Sequence, residues 1–393
     1  MKIIHTGDWH IGKIVNEYSM LEDQRYFLEK FIEMLEEEKP DVLLIAGDIY
    51  DRSVPSAEGI ELLDDVLSRI VLELKIPVLA ISGNHDSGER LSFGNRMLRN
   101  KGLYIEGMYK KDICKVTLKD EHGNVNFYLV PYVEPAVLRK VYENDDIKTH
   151  DDGMKVIISE IEKNINRNER NVIVTHGYVT YHCEDKENQG GLETLPSERP
   201  LSIGGTDLID AGNFDAFNYV ALGHLHGPQK VGSDRIRYSG SLLKYSVDEY
   251  KQNKSIPVIS MDEDGKVEVE LKSIKPLRDI RKIHGPLEEL IDRNTHKGED
   301  LNDYVFAELT DEGEVLDAVS KLRAVFPNIM GMKRAVINES EEESSTAAKG
   351  NFREKSVKEL FDEFYLSIMN KEMDEERENI IDAVIKDVLK EES

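Results

Sequence analysis

Basic residues are under-represented in this chain: 51 Lys and Arg stand against 77 Asp and Glu, a net charge of −26 with a pI near 4.9. A nucleic-acid binder usually carries a basic footprint. Any polyanion bound here therefore needs local basic residues or metal ions to offset the global field. Cysteine is scarcer still. Cys114 and Cys183 are the two present, far apart and in no metal-like pair. That argues against a disulfide framework or a thiolate metal site and fits a reducing, cytoplasmic compartment. No apolar run approaches the ~18 residues of a membrane span. Near the start, Thr6, Asp8 and His10 interrupt the apolar residues, so a signal peptide is not expected there. What is present suffices for a folded core: 39% of the 393 residues are apolar, a length that suggests two or three domains.

Residues 1 to about 270 alternate strand-like apolar runs with helical patterns, as βα units do. The runs around Ile3-Ile4, Asp41–Ala46, Pro77–Ser82, Asn171–Thr175 and Phe217–Leu222 predict buried strands. Tyr26, Phe27, Phe31, Met34 and Leu35 space a helix over Leu21–Glu38, and Ile60, Leu63, Leu67, Ile70 and Val71 space another. A further helix is expected over Arg90–Lys101, with Arg90, Arg96, Arg99 and Lys101 on or near it, and one more over Lys155–Ile165. Asp112–Leu118 and Val125–Val130 flank a hairpin turn at Glu121–Asn124. A long polar loop is expected to run through about Gly205, and short β segments to about Lys272.

From Pro276 a smaller α+β pattern begins, with strands at Tyr304–Leu309 and Ile329–Ile337 around a helix at Glu314–Phe326. The acidic, Ser/Thr-rich stretch 338–355 reads as a flexible linker. Two apolar stripes then follow, one through Leu360, Phe361, Phe364 and Ile368 and one through Ile381, Val384, Ile385 and Val388. They predict amphipathic helices over 356–393, which either fold back on the core or lie in a partner's groove. Their place beyond a linker favours the partner.

The chemistry sits where strands end. Asp8, His10, Asp48, Asn84, His176, His224 and His226 each follow an apolar strand and lie next to or near a glycine. Ligands in open α/β sheets bind beyond the carboxyl ends of strands. A single histidine in such a loop is ordinarily a hydrogen-bonded structural residue, but five segments delivering donors to equivalent places call for a common purpose. Seven oxygen and nitrogen donors suit two metal ions sharing a carboxylate, and the mix favours Mn, Fe or Zn. His85 directly follows a donor and is a candidate to protonate a leaving oxygen or stabilise the transition state. Asp51 is placed to hydrogen-bond His85 and favour its charged form. Arg52 is a candidate phosphate clamp or simply a surface residue. Trp9 reads as packing rather than base stacking, and His5, inside its strand, as packing rather than metal binding.

Gly7-Asp8-Trp9-His10, Gly47-Asp48-Ile49-Tyr50-Asp51-Arg52, Gly83-Asn84-His85-Asp86, His176-Gly177 and Gly223-His224-Leu225-His226 resemble, in order, the five motifs of the calcineurin-like metallophosphoesterases. Within them the chain is most similar to the bacterial SbcD nuclease subunits of SbcCD complexes. The flanks that carry this likeness are Lys2–Gly12, Pro131-Tyr132 and Tyr238–Ser246. The resemblance implies an α/β fold, a layered β-sandwich flanked by helices, with a small α+β capping domain and C-terminal helices. The implied boundaries are 1–273 for the nuclease domain, 274–337 for the capping and DNA-binding domain, 338–355 for the linker and 356–393 for the helices binding the partner. It implies that Asp8, His10, Asp48 and His226 hold one divalent ion and that Asp48, Asn84, His176 and His224 hold the second, Mn2+ being expected. His85 and Asp51 resemble the Asp–His dyad of related phosphatases; archaeal and eukaryotic relatives have a histidine at the position of Asp51. The implied partners are an SbcC-type coiled-coil ATPase and double-stranded DNA ends and hairpins, acted on by a homodimer within a heterotetramer. Its two-fold interface is expected at the helices after Asp48 and Asn84. The implied location is the bacterial cytoplasm, at the nucleoid, with no membrane contact. Exonuclease and endonuclease activity in DNA repair, recombination and replication is the leading expectation. A protein phosphatase or small-molecule phosphodiesterase on the same fold, or a non-catalytic scaffold, are the alternatives.

Overall fold

A computed structural model describes residues 1–181, 207–311 and 315–335, together with Lys358, Phe361, Tyr365, Met373 and Ile381. Two six-stranded sheets form the fold. The first runs, in spatial order, Val267–Lys272, Ile256–Met261, Lys2–Thr6 (β1), Val42–Ala46 (β2), Val78–Ile81 (β3) and Leu103–Glu106 (β4). The second runs Gln229–Val231, Ser233–Tyr238, Tyr219–Gly223, Arg170–His176, Gly123–Val130 (β6) and Cys114–Asp120 (β5). Arg170–His176 is β7 and Tyr219–Gly223 is β8. Strands β1 to β4 are mutually parallel, as are β6, β7 and β8.

Alternation along the strands explains the layering. In β1 and β2, Ile3, Val42, Leu44 and Ala46 face inward, against Val125, Phe127, Val172, Val174 and Ala221 of the second sheet. Ile4, Leu43 and Ile45 face the other way, onto the helices Leu21–Glu38 (α1) and Ala57–Ser68 (α2). The second sheet is covered on its outer face by Pro135–Tyr142 (α3) and His150–Glu162 (α4), through Leu138, Met154, Ile157 and Ile161. Both faces of the parallel strands are buried, so they read as continuous apolar runs.

Local signals set the helices. On α1, Phe27, Leu28, Phe31, Ile32 and Leu35 form the buried stripe; Lys39 in the left-handed region, with Pro40 after it, ends the helix. Ser56 caps α2 by accepting from Gly59 N at 3.1 Å. Ile60, expected on its core stripe, is 50% exposed. The helix continues as a π-turn over Arg69–Glu73 that buries Ile70 and Val71.

The expected helix over Arg90–Lys101 is not formed. Two four-residue turns, Gly88–Leu91 and Asn95–Leu98, and a 3-10 turn, Arg99–Lys101, replace it. Gly94, at φ 74°, breaks the path between the first two. The grouping of Arg90, Arg96, Arg99 and Lys101 is broken with it, since Arg99 pairs with buried Glu106. The hairpin between β5 and β6 is tighter than expected, closing on Glu121 and His122 alone.

Beyond Pro276, Ile280–Gly285, Tyr304–Leu309 and Ile329–Arg334 form a three-stranded sheet with helices Leu287–Ile291 and Ala318–Val325. Met1–Glu308 with Glu314–Met332 make one compact unit, and Leu309–Gly313 with Lys333–Ser393 belong to a second. The expected linker at 338–355, the loop from residue 182 to about Gly205 and, save the five residues named above, the C-terminal helices lie outside the described residues. No helix among the described residues is long and apolar enough to cross a membrane.

Candidate metal centre

Because β1, β2, β3, β7 and β8 run parallel within their sheets, each sheet gathers its C-terminal strand ends at one edge, and hydrogen bonds join the two edges. His176, the last residue of β7, places Nδ1 2.8 Å from Ala46 O at the end of β2. The Asp8 carboxylate accepts the backbone N–H of His224 at 2.9 Å. Such an approach needs bare backbone. A Cβ on Gly83 would collide with the Asp48 carboxylate, and one on Gly223 with the Ala46 carbonyl.

All seven expected donors meet there. Asp48 Oδ2 lies between two imidazoles, 3.7 Å from His10 Nε2 and 3.5 Å from His176 Nε2. Asn84 Oδ1 is 3.0 Å from His176 Nε2 and 3.1 Å from His224 Nδ1. His226 Nε2 is 3.2 Å from His10 Nε2. One donor atom each from Asp8, Asp48 and His176 lie within 4.8 Å of one another, and the same holds for His10, Asp51 and His85. Asp8, His10, Asp48 and His176 are buried, while Asn84 and His85 are exposed and form the open side.

The backbone is strained where it carries these groups. Asp8, His10 and Asp48 have φ of 51°, 45° and 49°, and His224 has 111°. Non-glycine residues rarely adopt positive φ, at a cost of order 1–3 kcal/mol each. The loop holds because Asp8 N donates to Gly47 O, His10 N to Asp48 O and Ile11 N to Ile49 O, at 2.9–3.0 Å. Gln24 of α1 adds a strut, its Nε2 donating to His10 O at 2.8 Å while its Oε1 accepts from Gly12 N at 3.0 Å. Tyr245 Oη donates to Trp9 O at 2.6 Å.

Burial keeps the His10, His176 and His224 imidazoles neutral. Burial lowers His10 to about 4 and His224 to about 3, and lowers His176 as well. For Asp48, burial acts to raise the pKa, but His176, His10 and His85 outweigh it and hold the carboxyl below its ordinary value. The neutral His176 ring must keep its proton on Nδ1, since Ala46 O can only accept. Its Nε2 lone pair then faces Asn84 Oδ1 and Asp48 Oδ2, with no hydrogen among the three. Lone pairs converging without a proton fit a cation, and imidazole, carboxylate and amide donors fit a divalent transition ion.

The candidate acid is held differently than expected. His85 Nδ1 is 3.0 Å from the backbone carbonyl of Asp51, not its carboxylate. The Asp51 carboxylate is instead taken by Lys13 Nζ at 2.8 Å and lies 3.6 Å from His10 Nδ1. Lys13 reaches it from the loop after β1 and out-competes a more distant ring. Arg52 is 69% exposed, with Nε 3.6 Å from Asp51 Oδ2. Trp9 is fully buried, donates to Thr6 Oγ1 at 3.0 Å and packs edge-on against Phe31. His5 is buried against Tyr219.

Three supporting residues escaped the sequence reading. Asp86 accepts from the backbone N–H groups of Ile49, Tyr50 and Gly83 at 2.9–3.0 Å, tying the Asp48 and Asn84 loops together. Burial and the Asp48 charge raise its pKa to about 6 against those three bonds. Its only signal was its place in Gly83-Asn84-His85-Asp86. Gln24 and Glu249, each one of several polar residues in a helix and a turn, gave none.

With this geometry in place, the chain can be compared with known proteins. Solved structures similar to it include TT1561 of Thermus thermophilus, at 12% identity over 69% of this chain and 98% of that one, with a TM-score of 0.39. A dimetal phosphatase from Danio rerio matches at 13% identity over 70% and 98%, with a TM-score of 0.39. YfcE, a phosphoesterase from E. coli, matches at 12% over 70% and 100%, with a TM-score of 0.27. Residues 1–228 match the calcineurin-like phosphoesterase family. Residues 276–367 match the SbcD C-terminal family, described as the type 5 capsule protein repressor C-terminal domain. The family and the donor clusters together support metal-dependent phosphoester hydrolysis with two divalent ions. The chain thus belongs to the calcineurin-like phosphoesterases and carries an SbcD-type C-terminal domain, consistent with an SbcD nuclease subunit.

Proposed function

We propose that this protein is the nuclease subunit of an SbcCD-type complex, hydrolysing DNA phosphodiesters at double-stranded ends and hairpins together with an SbcC-type ATPase. The observation that carries the reading is the convergence of the seven donors at one edge together with an SbcD-type C-terminal match in one chain. In this reading Asp8, His10, Asp48 and His226 hold one ion, Asp48, Asn84, His176 and His224 the other, and both are Mn2+. Bound divalent ions supply Lewis acidity toward a phosphoryl oxygen and offset phosphate charge, which answers the chain's net charge of −26.

The chain's own residues do the rest. His85, exposed and donating Nδ1–H to the Asp51 carbonyl, holds a proton on Nε2 for the leaving oxygen in this reading. Lys13 and Asp51 buttress His10 from behind. Arg52, exposed beside them, contacts a flanking phosphate. Residues 1–273 act as the nuclease domain and 274–337 as the cap; 356–393, beyond the linker at 338–355, dock on the ATPase. Two such chains pair within a heterotetramer in the bacterial cytoplasm.

The test is degradation of linear duplex DNA by the reconstituted pair with Mn2+ and ATP. Loss of activity in Asp48→Ala and His85→Ala is expected. Unchanged activity in either sinks its proposed role, and efficient phosphomonoester hydrolysis with DNA left intact would favour a phosphatase instead. A chain ending before Ser356 is expected to keep simple phosphodiesterase activity and lose tight ATPase binding.

A further inference from the structure

We propose that Glu249 and Lys254 are positioning residues for the metal centre, locking the tautomer and aim of His226. The inference rests on the reading of His226 as a ligand. Glu249 sits in the 3-10 turn Val247–Lys251 and is 1% exposed, a place where a carboxylate is costly unless fully partnered. Its Oε1 lies 2.9 Å from His226 Nδ1. Its Oε2 accepts from Lys254 Nζ at 2.5 Å and from the backbone N–H of Tyr245 at 3.2 Å.

Lys254 closes a ring. Its Nζ also donates to the backbone carbonyl of His226 at 2.8 Å and to Gln252 Oε1 at 2.7 Å. His226 is therefore gripped at both ends, its ring by Glu249 and its backbone by Lys254. A carboxylate can only accept, so the neutral ring carries its hydrogen on Nδ1 and turns the Nε2 lone pair toward His10 Nε2, 3.2 Å away. Carboxylates behind ligating histidines orient the ring and raise its basicity, and losing one typically costs about 10–100-fold in metal affinity. Lys254 balances the buried charge of Glu249, so the carboxylate orients the ring without leaving an unpaired anion in the interior.

Along the chain His226 precedes and Glu249 follows the Tyr238–Tyr245 segment, and the N–H of Ser241 within it donates to the His226 carbonyl at 3.0 Å. Lys254 also lines a cavity of about 400 Å³ with Lys244, Gln252 and Arg278, and none of the seven donors lines it. Glu249 is buried whereas Asn84 and His85 on the open side are exposed, so the brace acts through His226 rather than on a substrate.

The experiment is calorimetric titration of the full-length apoprotein with Mn2+ alone, run on the parent, Glu249→Gln, Lys254→Met and His226→Ala. Imidazole nitrogen shifts of His226 are recorded on the first three. The parent is expected to take two ions, and His226→Ala to lose one. Glu249→Gln is expected to weaken one ion about 10–100-fold and leave the other unchanged. Its His226 shifts should move toward a mixture of tautomers, with circular dichroism matching the parent. Lys254→Met should weaken the same ion. Parental affinity for both ions and an unmixed tautomer in Glu249→Gln would overturn the positioning role. Two ions at parental affinity in His226→Ala would overturn the ligand reading itself, whatever Glu249→Gln does. If Glu249→Gln fails to fold, Lys254→Met decides by the same criteria.

Discussion

The Asp8 carboxylate accepts the backbone N–H of His224 through both oxygens, at 2.9 and 3.1 Å, so a side chain from one sheet holds the donor-bearing loop of the other. One residue thus serves both the fold and the site. Asp8→Ala is expected to lower phosphodiesterase activity by more than about 100-fold, beyond what loss of a supporting group costs. It should also leave the His224 N–H without that acceptor, costing about 1–3 kcal/mol. Hydrolysis of a chromogenic phosphodiester measures the first, and urea unfolding in chelator the second. Parental stability in chelator would show that water replaces the carboxylate at His224.

Asp86 makes a different prediction, because it faces backbone rather than donors. Three N–H groups from two loops converge on its carboxylate. Asp86→Ala strands all three, and hydrogen bonds to a charged group contribute about 1.5–3 kcal/mol each, so a loss of roughly 3 kcal/mol or more is expected. Metal affinity should fall with stability, since Asp48 and Asn84 sit on the loops it joins. A variant as stable as the parent to urea would place the loop anchoring elsewhere.

These two residues mark how far the sequence can be read. The donors were visible because each ends an apolar run at a glycine, a pattern that survives without knowing how the sheets pack. Helix α1 was legible to its last residue for a similar reason, a regular stripe closed by Lys39 and Pro40. Asp86 and Glu249 were not, since their partners are backbone groups and a ring brought near only by the folded loops. The helix over Arg90–Lys101 failed because composition favoured it, whereas Gly94 and the pairing of Arg99 with Glu106 break it. Strand β4, four residues ending in buried Glu106, was too short and too polar at its end to register.

The split between Asp51 and His85 is testable by pairing two variants. Since the Asp51 carbonyl, not its side chain, holds His85, Asp51→Asn keeps the ring's anchor. It weakens the contact to Lys13 and His10 instead. His85→Ala is expected to cost about 100-fold or more with a poorly acidic leaving group and much less with nitrophenolate, which needs no proton. Asp51→Asn should show a smaller loss, equal for the two leaving groups. Steady-state rates on a matched pair of phosphodiesters measure this, and a leaving-group dependence in Asp51→Asn matching that of His85→Ala would restore the side-chain dyad.

His5 sets a pH dependence of stability distinct from the donors. Its ring is fully buried between the sheets, with Nδ1 3.0 Å from Tyr219 Oη. Burial, with a smaller push from the Arg237 charge, lowers its pKa from 6.5 to about 3, so the folded protein keeps it neutral. Below pH 6.5 the unfolded chain takes up a proton that the folded chain refuses. The stability linked to this group is therefore complete above pH 6.5 and drains away as pH falls toward 3, at up to about 1.4 kcal/mol per unit. His5→Phe keeps an aromatic ring beside Tyr219 but removes the titration and the hydrogen bond. It is expected to be less stable than the parent at pH 7.5 by about 1–3 kcal/mol, with the gap narrowing steadily between pH 6.5 and 4.5. Urea unfolding of both proteins in chelator across that range measures the gap. A gap that stays constant would mean His5 binds its proton equally well in both states, and its burial would then have to be relieved by water reaching Nε2.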